Sequence, residues 1–446
     1  MLIFRRGCAT IYLNDMAGGC SAASNRYLSK KGKDAPEPGQ RLPAGLVPDK
    51  IKDKETKMAE QNMGPRDFFS KEDAIADLGL IACPGAEELT RLVDSHLVRW
   101  AKEVGQDVDT FIIPSDCPRF QSGDAKGLVK ASTRGDDLFI FVDPGNYSIT
   151  YKLFGYENHL SPDDHFQNLI RIIQASSGRA HRITVIMPSL YGGRQHRRVS
   201  RESLDCAYAL QQLRAMGVKN IITFDAHDPR VQNAVPLMSF DNVMPTYQVL
   251  KCLLHHVPEV NFTKEHFMIV SPDEGAMNRN MYYSSVLGCN LGMFYKRRDY
   301  SRVVNGRNPI VAHEYLGESV EGKDVFIADD IIASGESMLD IAYELKMRGA
   351  RKIFTCATFP LFTSGLEKFD KAYADGIISA VLGTNLTYRT PQLLEREWYY
   401  DVDVSKYTAY FIAAINHDKS VSSIIDPIVK IRALLEKHGI PMGGQN

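Results

Sequence analysis

The sequence has none of the short motifs by which nucleotide-using and hydrolytic enzymes are most often recognised. There is no G-x-x-x-x-G-K-[ST] P-loop, no G-x-G-x-x-G turn, no protein-kinase H-R-D or D-F-G motif and no G-x-S-x-G nucleophile elbow. If ATP is a substrate, it must therefore be held by loops of another type.

An excess of charge, a long apolar run and paired cysteines are missing as well. The chain of 446 residues carries 53 basic and 54 acidic side chains, which argues against a general nucleic-acid surface. No run approaches the length of about 18 apolar residues that predicts a membrane span. No long apolar segment follows the initial MLIFRRG, so we do not expect a secretory signal. The eight cysteines are scattered without a C-x-x-C pair, which favours a reduced, cytoplasmic protein.

The first 70 residues differ in composition from the rest. Small, charged, proline and glycine residues dominate stretches such as KKGKDAPEPGQ. Such a composition cannot bury a core, and residues 1–70 are predicted to form a flexible N-terminal extension. Met58 or Met63 could be the start of the functional protein, and whether residues 1–57 belong to it stays open.

From Leu78 onward, short apolar runs alternate with amphipathic segments, which predicts a buried and largely parallel sheet. The pattern begins again after about residue 250. We therefore predict an α/β protein with an N-terminal domain over 76–243 and a C-terminal domain over 244–440. Predicted strands cover 78–83, 110–114, 137–143, 182–188, 220–227, 266–273, 290–298, 324–330, 352–359 and 377–384, and predicted helices cover 86–104, 163–175, 203–216, 278–286 and 337–348.

The segment IADDIIASGESM, residues 327–338, suits a phosphorylated sugar. An apolar strand ends in Asp329 and Asp330, and a short loop with Ser334, Gly335 and Ser337 opens a helix. Backbone N–H groups and hydroxyls at a helix start bind anions. The adjacent carboxylates suit sugar hydroxyls or a metal ion. An ordinary capped helix is the alternative.

Four further clusters follow predicted strands. FDAHDPRV and VSPDEGAMNR carry His227 and Asp273, candidate ligands for a divalent ion held mainly through substrate phosphates. A purely structural histidine is the alternative. GGRQHRRVSR at 192–201 and YKRRDYSRVVNGR at 295–307 are basic and suit a polyphosphate, with a solvated surface loop as the alternative for each.

Six of these pieces occur in the order found in one enzyme family. Across about residues 78–425, RFQSGD, GGRQHRR, DAHD, VSPDEG, YKRR and IADDIIASGES resemble the ribose-phosphate pyrophosphokinase (PRPP synthetase) family. The chain looks like a divergent member with an N-terminal extension. The resemblance implies two phosphoribosyltransferase-type (type I) domains, each a mainly parallel sheet flanked by helices. It implies transfer of diphosphate from Mg-ATP to ribose 5-phosphate, and a homo-oligomer, a hexamer built from dimers. Neither nucleic acid nor a membrane is an expected partner.

The resemblance also implies roles for individual residues. A loop over 297–312 is expected to close over the substrates. The implied catalytic residues are Lys296 and Arg298; the implied ATP-binding residues are Arg119, Phe120, Arg194, Gln195 and His196; the implied metal ligands, for Mg²⁺, are His227 and Asp273; and the implied ribose 5-phosphate residues are Asp329, Asp330, Ser334, Gly335 and Ser337.

The chain departs from the family pattern in the phosphate loop. The third acidic position of the loop is Ala333, and Glu336 replaces a small residue. Gln121 and Ser122 replace a Ser-Asp pair in the adenine segment. Two alternatives stay open: a non-catalytic, PRPP-synthetase-like regulatory subunit, and a phosphoribosyltransferase that uses PRPP. Regulation by phosphate or ADP and the preferred nucleotide also stay open.

Overall fold

The structure, a computed structural model, describes residues 74–298 and 310–440. These residues all belong to one compact unit, Gln61–Asn446. The predicted extension over 1–70 and residues 299–309 of the predicted closing loop lie outside the described residues.

The first half of the described chain builds a five-stranded parallel sheet. Its strand order is β1-β4-β7-β8-β9, and every neighbouring pair is parallel. In chain order the elements are β1 (Leu78–Ala82), α1 (Glu87–Glu103), β2 (Ser115–Asp116), β3 (Leu128–Val129), β4 (Asp137–Phe141), β5 (Thr150–Leu153), β6 (Tyr156–His159), α2 (Pro162–Ser176), β7 (Arg182–Ile186), α3 (Asp205–Ala215), β8 (Asn220–Phe224), a 3₁₀ helix (Pro229–Ala234) and β9 (Ser239–Val243).

The second half builds a seven-stranded sheet in the order β12-β11-β10-β13-β14-β15-β16. Only the edge pair β11 and β12 is antiparallel. In chain order the elements are α4 (Thr246–His256), β10 (Phe267–Ser271), α5 (Met277–Leu287), β11 (Asn290–Arg298), β12 (Ile310–Leu316), β13 (Asp324–Ile332), α6 (Glu336–Met347), β14 (Ile353–Pro360), α7 (Glu367–Ala374), β15 (Ala380–Thr384), α8 (Pro391–Leu394), β16 (Tyr399–Val402), α9 (Ser405–Asn416), α10 (Ser422–Ile425) and α11 (Ile428–Lys437).

Continuous apolar runs form the central strands, as the sequence predicts. All five residues of β4 and all five of β10 are buried, because helices cover both faces of a parallel sheet. One hydrophobic core contains residues of both sheets, and α9 packs against α1 of the first half. The predicted α/β fold with mainly parallel sheets is confirmed. Among the described helices, none has the length and hydropathy needed to cross a membrane.

The strand predicted over 110–114 is wrong in extent, since only Ile112 makes a bridge, to Leu80. The carboxylate of Asp94 accepts from the Phe111 amide at 2.8 Å and from the Thr110 hydroxyl at 2.8 Å. These two hydrogen bonds hold the segment against α1, so the bridge at Ile112 is not extended into a longer strand. The hairpin of β5 and β6 was not predicted because each strand has only four residues and YENH in β6 has no apolar alternation.

Asp143 joins the two halves of the chain directly after β4. Its buried carboxylate accepts hydrogen bonds from the Gly145 amide, the Thr387 hydroxyl and the Tyr388 amide at 2.9–3.1 Å. Burial raises the pKa of Asp143 to about 6, against the opposing effect of these donors.

Replacing Asp143 by alanine is expected to lower the free energy of unfolding by about 2–3 kcal/mol, because one buried and two partly buried donors lose their acceptor. Urea unfolding followed by circular dichroism measures the change. Asp109→Ala is the control, since the Asp109 side chain is 99% exposed, and it should change little. A loss for Asp143→Ala no larger than that of the control would contradict the structural role of Asp143.

Candidate active site

The carboxyl ends of strands from both sheets meet at one cavity of 220 Å³. His227 follows β8, and Asp330 lies near the end of β13. The Nδ1 atom of His227 lies 2.8 Å from Oδ2 of Asp330, so a hydrogen bond connects the two halves. Arg194 and Gln195 line the same cavity. Four residues predicted from three separate motifs are thus brought together.

The two adjacent carboxylates at the end of β13 differ in electrostatics. Burial acts to raise the pKa of Asp330, but the hydrogen bond from His227 and the charge of Arg279 outweigh burial and lower it. Burial and the neighbouring Asp330 carboxylate raise the pKa of Asp329. The hydrogen bond to Asp330 in turn raises the pKa of His227. Asp330 is therefore the carboxylate most firmly held as an anion.

Arg279 of α5 is a nearly buried cation at the back of the site. Its guanidinium donates to both carboxylate oxygens of Asp225 at 2.8–3.0 Å and lies 3.5 Å from Asp329. The Thr358 hydroxyl donates to the same Asp225 at 2.7 Å. Burial acts to lower the pKa of Arg279, but the Asp225 carboxylate outweighs burial and raises it. These contacts connect the ends of β8, β13 and β14.

Asp225 also has an unusual backbone. Its φ angle is 44°, in the left-handed region that a residue with a side chain seldom adopts. The conformation is held by the Asp225 amide, which donates to the Val243 carbonyl, and by Arg279 and Thr358 on the side chain. Local strain of this kind is common at functional sites. It turns the chain sharply, so that His227 follows as the third residue after the strand.

The predicted ATP segment after β7 divides into exposed and half-buried residues. Arg194 and Gln195 are exposed at the cavity. His196 is half-buried, and its Nε2 atom lies 3.5 Å from Oδ2 of Asp228. The rings of His196 and His227 lie 5.4 Å apart between centroids. The basic segment therefore lies beside the DAHD segment.

The predicted adenine residues Arg119 and Phe120 have different environments. Arg119 donates to Asp164 at 2.6 Å and to the Gly123 carbonyl at 3.0 Å, and its guanidinium lies 4.0 Å from the centre of the Tyr151 ring. Arg119 therefore holds its own loop to α2 and to the hairpin. Phe120 is 54% exposed. A direct contact of either residue with adenine stays a prediction.

The predicted phosphate loop lies between β13 and α6. Gly335 precedes the helix with φ 77°, and a Cβ atom on it would lie 2.3 Å from the Phe369 ring, so glycine is required there. The Glu336 amide at the start of the helix donates a long hydrogen bond of 3.5 Å to the Ser334 hydroxyl. Ser334 is half-buried, and Ser337 is exposed. The Thr363 amide donates to the Ala333 carbonyl and fixes the loop. Open backbone amides and two hydroxyls suit a phosphate.

Glu336, the unusual acid of this loop, has a cationic partner. The ammonium group of Lys368 in α7 donates to its carboxylate, and this hydrogen bond lowers the pKa of Glu336. The charge that would otherwise repel a phosphate is thereby paired.

The remaining predicted residues are less fully defined. Lys296 and Arg298 lie in β11, and only their backbone is described. Asp273 accepts from the Ala276 amide at 3.1 Å. Within the described residues, no group of three or more His, Cys, Asp or Glu side chains is arranged to hold a metal ion. The carboxylate oxygens of Asp273, Asp329 and Asp330 are of the chemical type that Mg²⁺ prefers, and a magnesium ion held by these residues stays a prediction.

Three buried residues of the site were not assigned a role from the sequence. Asp225 and Arg279 both lie within the strand-end motifs, whereas Thr358 lies in none of them. The available signal for a contact between Asp225 and Arg279 was their opposite charge in two neighbouring motifs. Their pairing could not be inferred, because Asp225 and Arg279 are 54 residues apart in the chain.

Family models match both halves of the chain. The model for the N-terminal domain of ribose phosphate pyrophosphokinase matches residues 89–217, and the phosphoribosyl transferase domain model matches residues 255–387. Ribose-phosphate pyrophosphokinase of Staphylococcus aureus is 26% identical over 264 residues, which is 59% of this chain and 75% of the relative. The enzyme of that name from Shewanella oneidensis is 26% identical over 313 residues, 69% of this chain and 89% of the relative.

A solved structure supports the fold independently. The crystal structure of phosphoribosylpyrophosphate synthetase from Mycobacterium smegmatis is similar with a TM-score of 0.60 at 20% identity, covering 77% of this chain and 99% of that one. The expectation of two phosphoribosyltransferase-type domains is thereby confirmed. The chain belongs to the ribose-phosphate pyrophosphokinase family.

Proposed function

We propose that this protein transfers the diphosphate group of Mg-ATP to the 1-hydroxyl of ribose 5-phosphate and forms PRPP and AMP. Family membership supports a ribose-phosphate diphosphokinase. The single observation that carries the proposal is the hydrogen bond of 2.8 Å between His227 and Asp330, in a cavity that Arg194 and Gln195 also line. It joins an expected metal ligand of the N-terminal half, the half expected to bind ATP, to the segment expected to bind the sugar.

The ATP side of the proposed site is basic. Arg194, Gln195 and His196 are assigned to ATP, and the Arg194 guanidinium suits phosphate oxygens. Phe120, exposed on its loop, is assigned to the adenine ring, and Arg119 keeps that loop in place through Asp164.

The sugar side is built from β13 and the start of α6. Asp329 and Asp330 accept hydrogen bonds from the ribose hydroxyls in this assignment. Ser334, Gly335 and Ser337 offer hydroxyl and backbone donors to the 5-phosphate, where the positive end of the helix dipole adds attraction.

The chemistry follows from this placement. The 1-hydroxyl oxygen attacks the β-phosphorus of ATP, the bond from that phosphorus to the bridging oxygen of the α-phosphate breaks, AMP leaves, and the hydroxyl proton is released. Lys296 and Arg298 are assigned to stabilise charge on the transferring group, and no covalent enzyme intermediate is needed.

His227 and Asp273, together with Asp329 and Asp330, would hold Mg²⁺, which neutralises phosphate charge when bound. Closure of residues 297–312 is proposed to exclude water, because ATP hydrolysis competes.

The same proposal includes a homo-oligomer in the cytoplasm. A non-catalytic regulatory subunit is the second candidate, because Ala333 removes a carboxylate from the sugar side. Glu336 is the other unusual residue, but it is paired with Lys368 and therefore gives this second candidate less support.

The pairing of Glu336 makes a specific prediction. Replacing Lys368 by alanine is expected to raise KM for ribose 5-phosphate about threefold, with kcat unchanged, because an unpaired carboxylate then lies beside the phosphate. Initial rates measured over a range of ribose 5-phosphate concentrations give both constants. Adding Glu336→Gln to the Lys368→Ala variant should restore KM. An unchanged KM in Lys368→Ala would contradict the proposal that Lys368 neutralises Glu336 beside the phosphate.

The proposed activity is tested by the nucleotide product. Incubation with Mg-ATP should produce AMP only when ribose 5-phosphate is present, one AMP for each sugar consumed, as measured by anion-exchange chromatography. AMP formation that is independent of the sugar, or ADP as the product, would refute the diphosphate transfer.

A further inference from the structure

A larger cavity of 680 Å³ lies among α4, α9 and α11. None of the residues that line it also lines the active-site cavity. Its volume is in the range of small-molecule sites. We call it the lysine cavity, after the four lysines that line it: Lys251, Lys406, Lys430 and Lys437.

The positive charge of the lysine cavity is not neutralised by its own carboxylates. Within the described part of the chain, none of the four lysines has a carboxylate oxygen within 4.0 Å. Asp401 and Asp403 also line the cavity, but both are engaged elsewhere. Asp401 lies 2.9 Å from Nε of Arg389, and Asp403 accepts from Asn385 and from the Ser405 amide. The cavity therefore has a net positive charge.

Two of the lysines converge on one aromatic ring. The ammonium nitrogens of Lys406 and Lys430 lie 6.0 Å and 5.6 Å from the centre of the Tyr410 ring. Burial and the neighbouring Lys406 charge lower the pKa of Lys430. Two like charges, each within 6.0 Å of the same ring centre, favour a ligand with negative charge.

Two histidines add further polar groups. Nδ1 of His256 lies 3.0 Å from the Cys252 carbonyl, and Nδ1 of His438 lies 2.9 Å from the Leu434 carbonyl. A carbonyl oxygen only accepts, so Nδ1 carries the hydrogen in each ring.

We propose that the lysine cavity binds a small anion that carries two or more phosphoryl groups. Four ammonium groups match several phosphate oxygens as point charges, whereas a single carboxylate would leave most of them unpaired. The concave shape suits a compact ligand rather than an extended chain. This inference does not depend on the proposed enzymatic activity.

Trp100 provides a local reporter for this binding. Its ring packs on Tyr410, with centroids 4.7 Å apart. The chain has one other tryptophan, Trp398, which packs on Phe369 in another core and does not line the cavity. Labelling with 5-fluorotryptophan therefore gives one reporting ¹⁹F resonance and one reference, assigned with Trp100→Phe.

The full chain is titrated with inorganic triphosphate at about 150 mM salt, which screens non-specific attraction. The Trp100 resonance should shift saturably while the Trp398 resonance stays in place. The double variant Lys406→Gln, Lys430→Gln should weaken this binding at least about tenfold, the effect of losing two charge contacts. The exposed pair Lys152→Gln, Lys371→Gln makes the same change in net charge and should leave it unchanged. No saturable shift of Trp100, or equal weakening in both double variants, would overturn the proposal.

Discussion

Replacing Lys296 by alanine is expected to lower kcat roughly 10³-fold while leaving the affinity for ATP nearly intact. The physical reason is that a cation placed on the transferring diphosphate acts mainly in the transition state, where charge is redistributed, and little in the ground state. Steady-state rates of AMP formation give kcat, and isothermal titration with a non-hydrolysable ATP analogue gives the affinity.

Lys371→Ala is the matched control for Lys296. It removes one positive charge from an exposed position of α7, and no catalytic role is assigned to it. A kcat within about threefold of the wild type is expected for the control. If Lys296→Ala kept its turnover, or if both variants lost it equally, the assigned role of Lys296 would be wrong.

Replacing Arg279 by methionine is expected to lower the free energy of unfolding by about 3–5 kcal/mol, because the buried Asp225 and the adjacent Asp329 then lose their cation. Methionine keeps the aliphatic bulk, so the change reports mainly on charge. Guanidinium-induced unfolding followed by intrinsic fluorescence measures it.

Arg348→Met is the control for Arg279. Arg348 pairs with Glu344 on the surface of α6, at 2.8 Å, and both side chains are more than 40% exposed. Exposed pairs of this kind contribute less than about 1 kcal/mol. A loss of stability in Arg279→Met no larger than that of the control would show that the Asp225 contact does not hold the strand ends together.

Local sequence patterns predicted the central strands, because a strand that is buried on both faces of its sheet has a continuous run of apolar residues. DLFIF in β4 and FMIVS in β10 are continuous apolar runs, and both form buried strands. The edge strand β12, IVAHEYL, has no regular period of two, and the alternation of TYKL in β5 covers only four residues, so neither could be distinguished from a loop.

Candidate site residues could be selected from the sequence where a single short motif contains the charged or polar groups that suit a ligand. His227, Asp330 and Arg194 were selected from strand-end clusters, and the structure brings them to one cavity. Contacts between distant segments were not predictable. The bond between Asp143 and Thr387 joins residues 244 positions apart, and the partner of Glu336 lies in a different helix. The first pair depends on how the two halves pack and the second on how α6 and α7 lie beside each other, and no local pattern encodes either.

The most direct test of the diphosphate transfer is a ³¹P NMR spectrum of the reaction with Mg-ATP and ribose 5-phosphate. We predict that the β- and γ-phosphate resonances of ATP are replaced by those of a diphosphate attached to C1 of the sugar, together with the AMP resonance. Conversion of ATP to ADP and phosphate, or no turnover with several divalent ions and phosphate present, would contradict the proposed function.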